Sequence, residues 1–201
     1  MSDSNATWLV VLIKDFAAAK QRLRPALDPG ARRELARGNA RRALGAARAN
    51  GHVLAVCGSE AAADLAREEG ADILLEEEPR GQNAAAMLGI SHALAQGATS
   101  LLLLSSDLPL VSSSELGDML EVGVQMGSPA VLAAPATGRG GTNALYLAPP
   151  DIIDLHFGDD SLRKFERTAR ARGVAFALHE SPALALDLDE PSDLAMLARQ
   201  K

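Results

Sequence analysis

Cysteine is almost missing from this 201-residue chain: Cys57 stands alone. That excludes a disulfide framework and suits a reducing cytoplasm. Cys57 lies in the apolar run 53–57 and reads as a core residue rather than a reactive thiol. Aromatic residues make up only 3% of the chain, which leaves few platforms for stacking the bases of a nucleic acid. Long apolar runs are missing too. The stretch 8–13, after a polar N-terminus, is too short for a signal or a membrane span. His52, His92, His156 and His179 show no ligand spacing and are assigned no metal. A glycine-rich loop after the first predicted strand is also absent, which excludes a Walker-type phosphate cradle.

What is present is a hydrophobic fraction of 47%, enough for one substantial core and a single domain over 1–201. Net charge is −6 and unevenly spread. Residues 1–50 carry ten Lys/Arg against four Asp/Glu, a net of +6, so residues 51–201 carry −12. A basic front on an acidic body suits a small polyanionic ligand better than a nucleic-acid groove. Arg32, Arg33, Arg37, Arg41, Arg42 and Arg48 read as the solvated side of a helix.

Strand-like apolar runs alternate with helical patterns. Strands are expected at 7–13, 53–57, 73–75, 101–105, 130–133, 143–147 and 174–178. Helices are expected at 31–49, 60–68, 83–95, 112–125 and 161–172, with a closing helix beginning near Pro191. Continuous rather than alternating apolar strands imply cover on both faces. The expected fold is therefore α/β, a three-layer sandwich around a mainly parallel sheet. Ligands in such sheets bind beyond the carboxyl ends of the strands, which directs attention to the loops after Ile13, Leu75, Ser105 and Ala133.

Several constellations sit on or near those loops. Lys14, Lys20 and Arg22 follow the first strand and could grip a polyphosphate with side-chain cations, or form a solvated charge cluster. Gly81, Gln82 and Asn83 open a helix and could read a base edge, with Asn83 as a plain cap the alternative. Asp107 ends the most apolar strand, where a carboxylate has no packing role but a magnesium ion would find a hard oxygen ligand. The turn 138–143 is rich in glycine and leads into Thr142 and Asn143, a candidate anion nest or a simple hairpin. Gly158 and Ser161 open another helix, whose free N–H groups suit a phosphate, unless Asp159 and Asp160 make it an ordinary cap. Asp187 and Asp189, two residues apart, would face one side of an extended segment.

Taken in series, these motifs resemble one family. The carriers are Lys14 with Lys20-Gln-Arg22-Leu, Gly81-Gln-Asn83-Ala, Ser106-Asp107-Leu-Pro109-Leu, Gly141-Thr-Asn143, Phe157-Gly158 with Ser161, and Leu186-Asp187-Leu-Asp189-Glu-Pro191. The chain resembles the 2-phospholactate or phosphoenolpyruvate guanylyltransferases of deazaflavin coenzyme F-420 biosynthesis. The resemblance implies a nucleotide-diphospho-sugar transferase-like fold, related to molybdopterin guanylyltransferase. It also implies transfer of GMP from GTP to a phosphorylated three-carbon acid, with release of pyrophosphate. By the same likeness Asp107, Asp187 and Asp189 would hold Mg2+. Lys14, Lys20, Arg22 and Gly81 to Asn83 would line the GTP side, with Lys20, Arg22 and Asp107 catalytic. Thr142, Asn143, Gly158 and Ser161 would hold the phosphoacid. Arg139 departs from the family pattern and is expected to alter the mouth of the acid pocket, while Asp159 and Asp160 put extra negative charge beside the expected phosphate nest. A molybdenum-cofactor or sugar-phosphate nucleotidyltransferase, or a non-catalytic nucleotide-binding module, stays open. So does a homodimer, since the oligomeric state is not legible.

Overall fold

A computed structural model describes residues 7–138 and 140–198. Strand β1 (Thr7–Ile13) shows why the chain builds layers. Leu9, Val11 and Ile13 enter one buried cluster, while Trp8, Val10 and Leu12 enter another. That division follows the two-residue period of a strand, and it requires helices on both faces.

Strands β2 (His52–Cys57) and β4 (Ser100–Ser105) flank β1 in parallel, and β3 (Asp72–Leu75) extends the sheet beyond β2. A hairpin of β5 (Ala130–Pro135) and β6 (Thr142–Ala148) continues it on the other side. β6 runs antiparallel to β4, and β7 (Ala175–Leu178) joins β5 in parallel. The order is β3-β2-β1-β4-β6-β5-β7. Among these seven strands only β6 opposes its neighbours, so the sheet is mainly parallel.

Helices α1 (Pro29–Arg48), α2 (Glu60–Glu68), α4 (Ser113–Met126) and the short α6 (Pro182–Ala185) cover one face. The other face carries α3 (Gln82–Ala95) and α5 (Ser161–Ala171). α7 (Pro191–Ala198) closes the described chain. Local chemistry sets several helix starts. Asp28 accepts the Ala31 N–H at 2.8 Å with Pro29 at the first position, and Ser59 and Ser112 cap α2 and α4. Gly89 on α3 lets the helix settle on β1. A Cβ there would stand 2.5 Å from Val10 Cγ1.

Parallel strands bring the carboxyl ends of β1, β2, β3, β4, β5 and β7 to one rim, where β6 begins. The chain leaves β1 for β2 on one side and reaches β4 on the other, so the crevice opens beyond β1 and β4. Two elements lie outside the sequence reading: a single 3-10 turn at Gln21–Leu23, and α6. One expectation is corrected. Arg32 is buried, not solvated, and its Nη1 donates to Gln21 Oε1 at 3.2 Å. The loop 14–23 folds over the start of α1 and covers it. Arg37 and Arg41 do lie at the surface, paired with Glu68 at the end of α2 and with Glu69 just after it.

Candidate active site

Two cavities open at the crevice. One of about 440 Å³ lies between the loop after β1 and the start of α3, and Lys14, Phe16, Lys20, Glu76, Gly81 and Gln82 are among its lining. The other, of about 480 Å³, lies over the β5–β6 turn and the start of α5, with Thr142, Gly158, Asp187 and Asp193 in its wall. Lys14, Gln82, Ser105, Asp107 and Asp189 line both. The two spaces therefore meet at a wall of one cation, two carboxylates, an amide and a hydroxyl.

Asp107 is the centre of that wall. Its Oδ2 accepts from Lys20 Nζ at 2.8 Å and its Oδ1 from Ser105 Oγ at 2.8 Å. Burial pushes its carboxyl up, but the Lys20 charge and hydrogen bond, with Ser105 and Lys14, bring it below the ordinary value. Lys20 is itself buried and held at φ 55°, a left-handed conformation that a non-glycine residue rarely adopts. The turn has been bent to drive this ammonium inward. Asn39 of α1 donates to the Asp107 carbonyl at 3.3 Å, which fixes the strand end behind the carboxylate.

The segment carrying Asp187 and Asp189 is tied alongside. Leu188 N–H reaches the Asp107 carbonyl at 3.4 Å. Leu186 and Leu188 are buried while Asp187 and Asp189 are partly exposed in the second cavity. The alternation expected for i and i+2 is thus present, although 186–189 form no strand. Burial, and then the negative charge of Asp107, push the Asp187 carboxyl up to about 6, and Asp189 adds to the rise. Asp189 is met by Arg22 at 2.9 Å. At the helix start it is Asp193 that reaches back, accepting the N–H groups of Asp189 and Glu190.

Three hard carboxylates with such crowded negative charge fit a divalent cation as a donor set. The geometry is looser than expected from the sequence. Among the described residues no three acidic, cysteine or histidine side chains are gathered closely enough to form a metal group. Asp107 is turned to Lys20 and Asp189 to Arg22 instead. The three share one cavity, not one point.

Beside the second cavity, Ser161 donates to Thr142 Oγ1 at 3.0 Å, and both are buried. Thr142 and Gly158 line the second cavity, whereas Ser161 stands behind Thr142 and lines neither. At the start of α5, Asp160 occupies the cap position at φ 55° without a side-chain cap bond. Its neighbour Asp159 lines the cavity, so it brings its negative charge there. Arg139 lies outside the described residues.

Two of the expected ligand residues are tied to backbone, and one of them, Asn143, also lines the second cavity. Asn83 donates from Nδ2 to the Phe157 carbonyl at 3.2 Å and accepts the Phe157 N–H at 2.8 Å. Both ends of its amide meet Phe157, which ties the start of α3 to the loop before α5, and Asn83 lines neither cavity. Asn143 donates to the carbonyls of Leu184 and Ala185 at 2.9 and 3.3 Å, holding α6 and hence the approach to Asp187. Arg22 is exposed and lines neither cavity. Sequence reasoning passed over Glu76, in the first cavity's wall, although it directly follows β3 on a loop already singled out.

A mainly parallel sheet with two cavities meeting over the switch point has the architecture of the nucleotidyltransferase fold class. Solved structures agree on the fold. A protein assigned as a nucleotide-diphospho-sugar transferase from Desulfovibrio desulfuricans G20 superposes with a TM-score of 0.79 at 16% identity, covering 96% of this chain and 87% of that one. A Mycobacterium tuberculosis H37Rv protein, solved as a complex with manganese, gives 0.58 at 19% identity, covering 98% and 100%. Sequence comparison is narrower. The family model described as "Guanylyl transferase CofC like" matches residues 7–198, and the chain belongs to that family. Its reaction class is guanylyl transfer. A phosphoenolpyruvate guanylyltransferase of Rubrobacter xylanophilus is 39% identical over 194 residues, 96% of this chain and 93% of that protein. A 3-phospho-D-glycerate guanylyltransferase of Colwellia psychrerythraea is 33% identical, covering 96% and 91%. A 2-phospho-L-lactate guanylyltransferase of Methanothermobacter thermautotrophicus is 32% identical, covering 94% and 82%. No helix among the described residues is long and apolar enough to cross a membrane.

Proposed function

We propose that this protein joins the GMP moiety of GTP to a phosphorylated three-carbon acid, releasing pyrophosphate, as a step of coenzyme F-420 biosynthesis in the cytoplasm. Phosphoenolpyruvate is the proposed acid, supported by the relative at 39% identity. The observation that carries the reading is the wall shared by the two cavities. GTP belongs in the first, with its phosphates toward Lys14, Lys20 and Asp107. The acid belongs in the second, over Thr142 and Gly158.

A phosphate oxygen of the acid attacks the α-phosphorus of GTP and forms the new P–O bond. The bond from that phosphorus to the bridging oxygen breaks, and pyrophosphate leaves with the electron pair. A phosphate is already largely ionised at neutral pH, so no proton need be removed first. Catalysis then rests on alignment and charge neutralisation. Lys14, which is exposed and borders both cavities, would offset the leaving charge. Mg2+ would be held by Asp107, Asp187 and Asp189, and when bound supplies positive charge to phosphate oxygens. Ser161 acts by orienting the Thr142 hydroxyl. A homodimer is part of the same proposal, and sedimentation velocity tests it.

Incubation with GTP, Mg2+ and each of phosphoenolpyruvate, 2-phospholactate and 3-phosphoglycerate tests the reading. Pyrophosphate should appear with GTP and one acid together. Release with no acid present, or none with any of the three, contradicts it.

A further inference from the structure

Gln82 is the first residue of α3 and borders both cavities, as do Lys14, Ser105, Asp107 and Asp189. Its place is set by its neighbour. The Asn83 amide grips the Phe157 backbone at 3.2 and 2.8 Å, and Phe157, Gly158 and Asp159 line the second cavity. The start of α3, which forms part of the first cavity, is thereby drawn against the second. Among the described residues the Gln82 side chain makes no hydrogen bond. Ser105 spends its hydroxyl proton on Asp107, and the ionised carboxylates of Asp107 and Asp189 can only accept. The side chains of the shared wall left to donate to a phosphate oxygen are Lys14 and Gln82.

We propose that Gln82 is a catalytic residue, its side-chain Nε2 donating to an oxygen of the GTP α-phosphate during transfer. This rests on GTP in the first cavity and the acid in the second, as argued above. Transfer requires the α-phosphorus to stand where the two substrates meet, and Gln82 borders that boundary. Guanine lies a whole ribose away from this phosphorus, so a side chain at the boundary meets phosphate rather than base. A phosphate oxygen of the acid bonds to the α-phosphorus while the bond to the bridging oxygen breaks. The electron pair leaves with pyrophosphate, and Gln82 gives up no proton. Its amide holds a non-bridging oxygen in line and offsets the charge on it, an effect that matters most at the transition state.

The test compares wild type with Gln82→Ala and with Gln82→Glu, which keeps the size and loses the donor. Pyrophosphate release is measured at saturating GTP and phosphoenolpyruvate, and calorimetry gives the Kd of GTP and of ATP without acid. In both variants kcat should fall roughly 10- to 100-fold. The Kd for GTP should stay within about 3-fold of wild type, with the preference for GTP over ATP unchanged. Both should melt within about 2 °C of wild type, since the side chain has no protein partner to lose. A kcat within about 2-fold of wild type in both variants overturns this proposal alone. So does a lost preference for GTP at unchanged kcat, which would make Gln82 a reader of the base. Wild type that releases no pyrophosphate with GTP and any of the three acids overturns the guanylyl-transfer reading and takes this proposal with it.

Discussion

Replacing Asp187 by Asn should make the ligand-free protein more stable while abolishing turnover. The carboxyl is held at about 6 against an ordinary 3.8, first by burial and then by Asp107. Keeping it ionised in the fold costs about 3 kcal/mol at pH above both values, since one pKa unit corresponds to about 1.4 kcal/mol. Partial exposure screens this to about 2 kcal/mol. The sign follows from linkage. Below about pH 4 Asp187 is neutral folded or unfolded and nothing is lost, whereas the penalty grows as pH rises through about 6. Asp187→Asn should therefore raise the melting temperature by roughly 4–8 °C at pH 8. The gain should shrink toward zero near pH 4. Scanning calorimetry at the two pH values, without divalent cations, reads it directly. A variant that is less stable than wild type at pH 8, or one whose gain is the same at both pH values, refutes the crowding of charge argued here.

Lys20→Met leaves Asp107 a poorly solvated charge without its 2.8 Å partner. Stability at pH 7 should fall by about 3 kcal/mol in urea denaturation, with the loss shrinking as pH drops and Asp107 takes up a proton. Asn143→Ala removes the amide that holds the Leu184 and Ala185 carbonyls. It should cost about 1–3 kcal/mol and raise the divalent cation concentration needed for half-maximal turnover, because the Asp187 segment is no longer anchored. Gly89→Ala pushes a methyl to 2.5 Å from Val10 and should cost about 1–3 kcal/mol through overpacking, seen as a lower melting temperature.

The layer architecture was legible because its cause is local. β1 is apolar at successive positions, and that alone demands helices on both faces. The Asp187–Asp189 alternation was legible for the same reason, since Leu186 and Leu188 turn inward in alternation with the acids. What escaped depends on contacts distant in sequence. Asn83 looks like a base reader or a cap until Phe157, 74 residues on, takes both ends of its amide. Asn143 meets its acceptor 41 residues away, on a helix of four residues that no periodicity announces. Arg32 has the spacing of a solvated helical face, but the turn through Lys20 at φ 55° lays Gln21 over it.

Manganese soaked into crystals of the wild-type protein, located by its anomalous scattering, tests the central claim most directly. The account predicts one peak at the boundary of the two cavities, with carboxylate oxygens of Asp107, Asp187 and Asp189 turned onto it and Lys20 displaced from Asp107. A peak that excludes Asp187, or manganese bound only away from the shared wall, would contradict it.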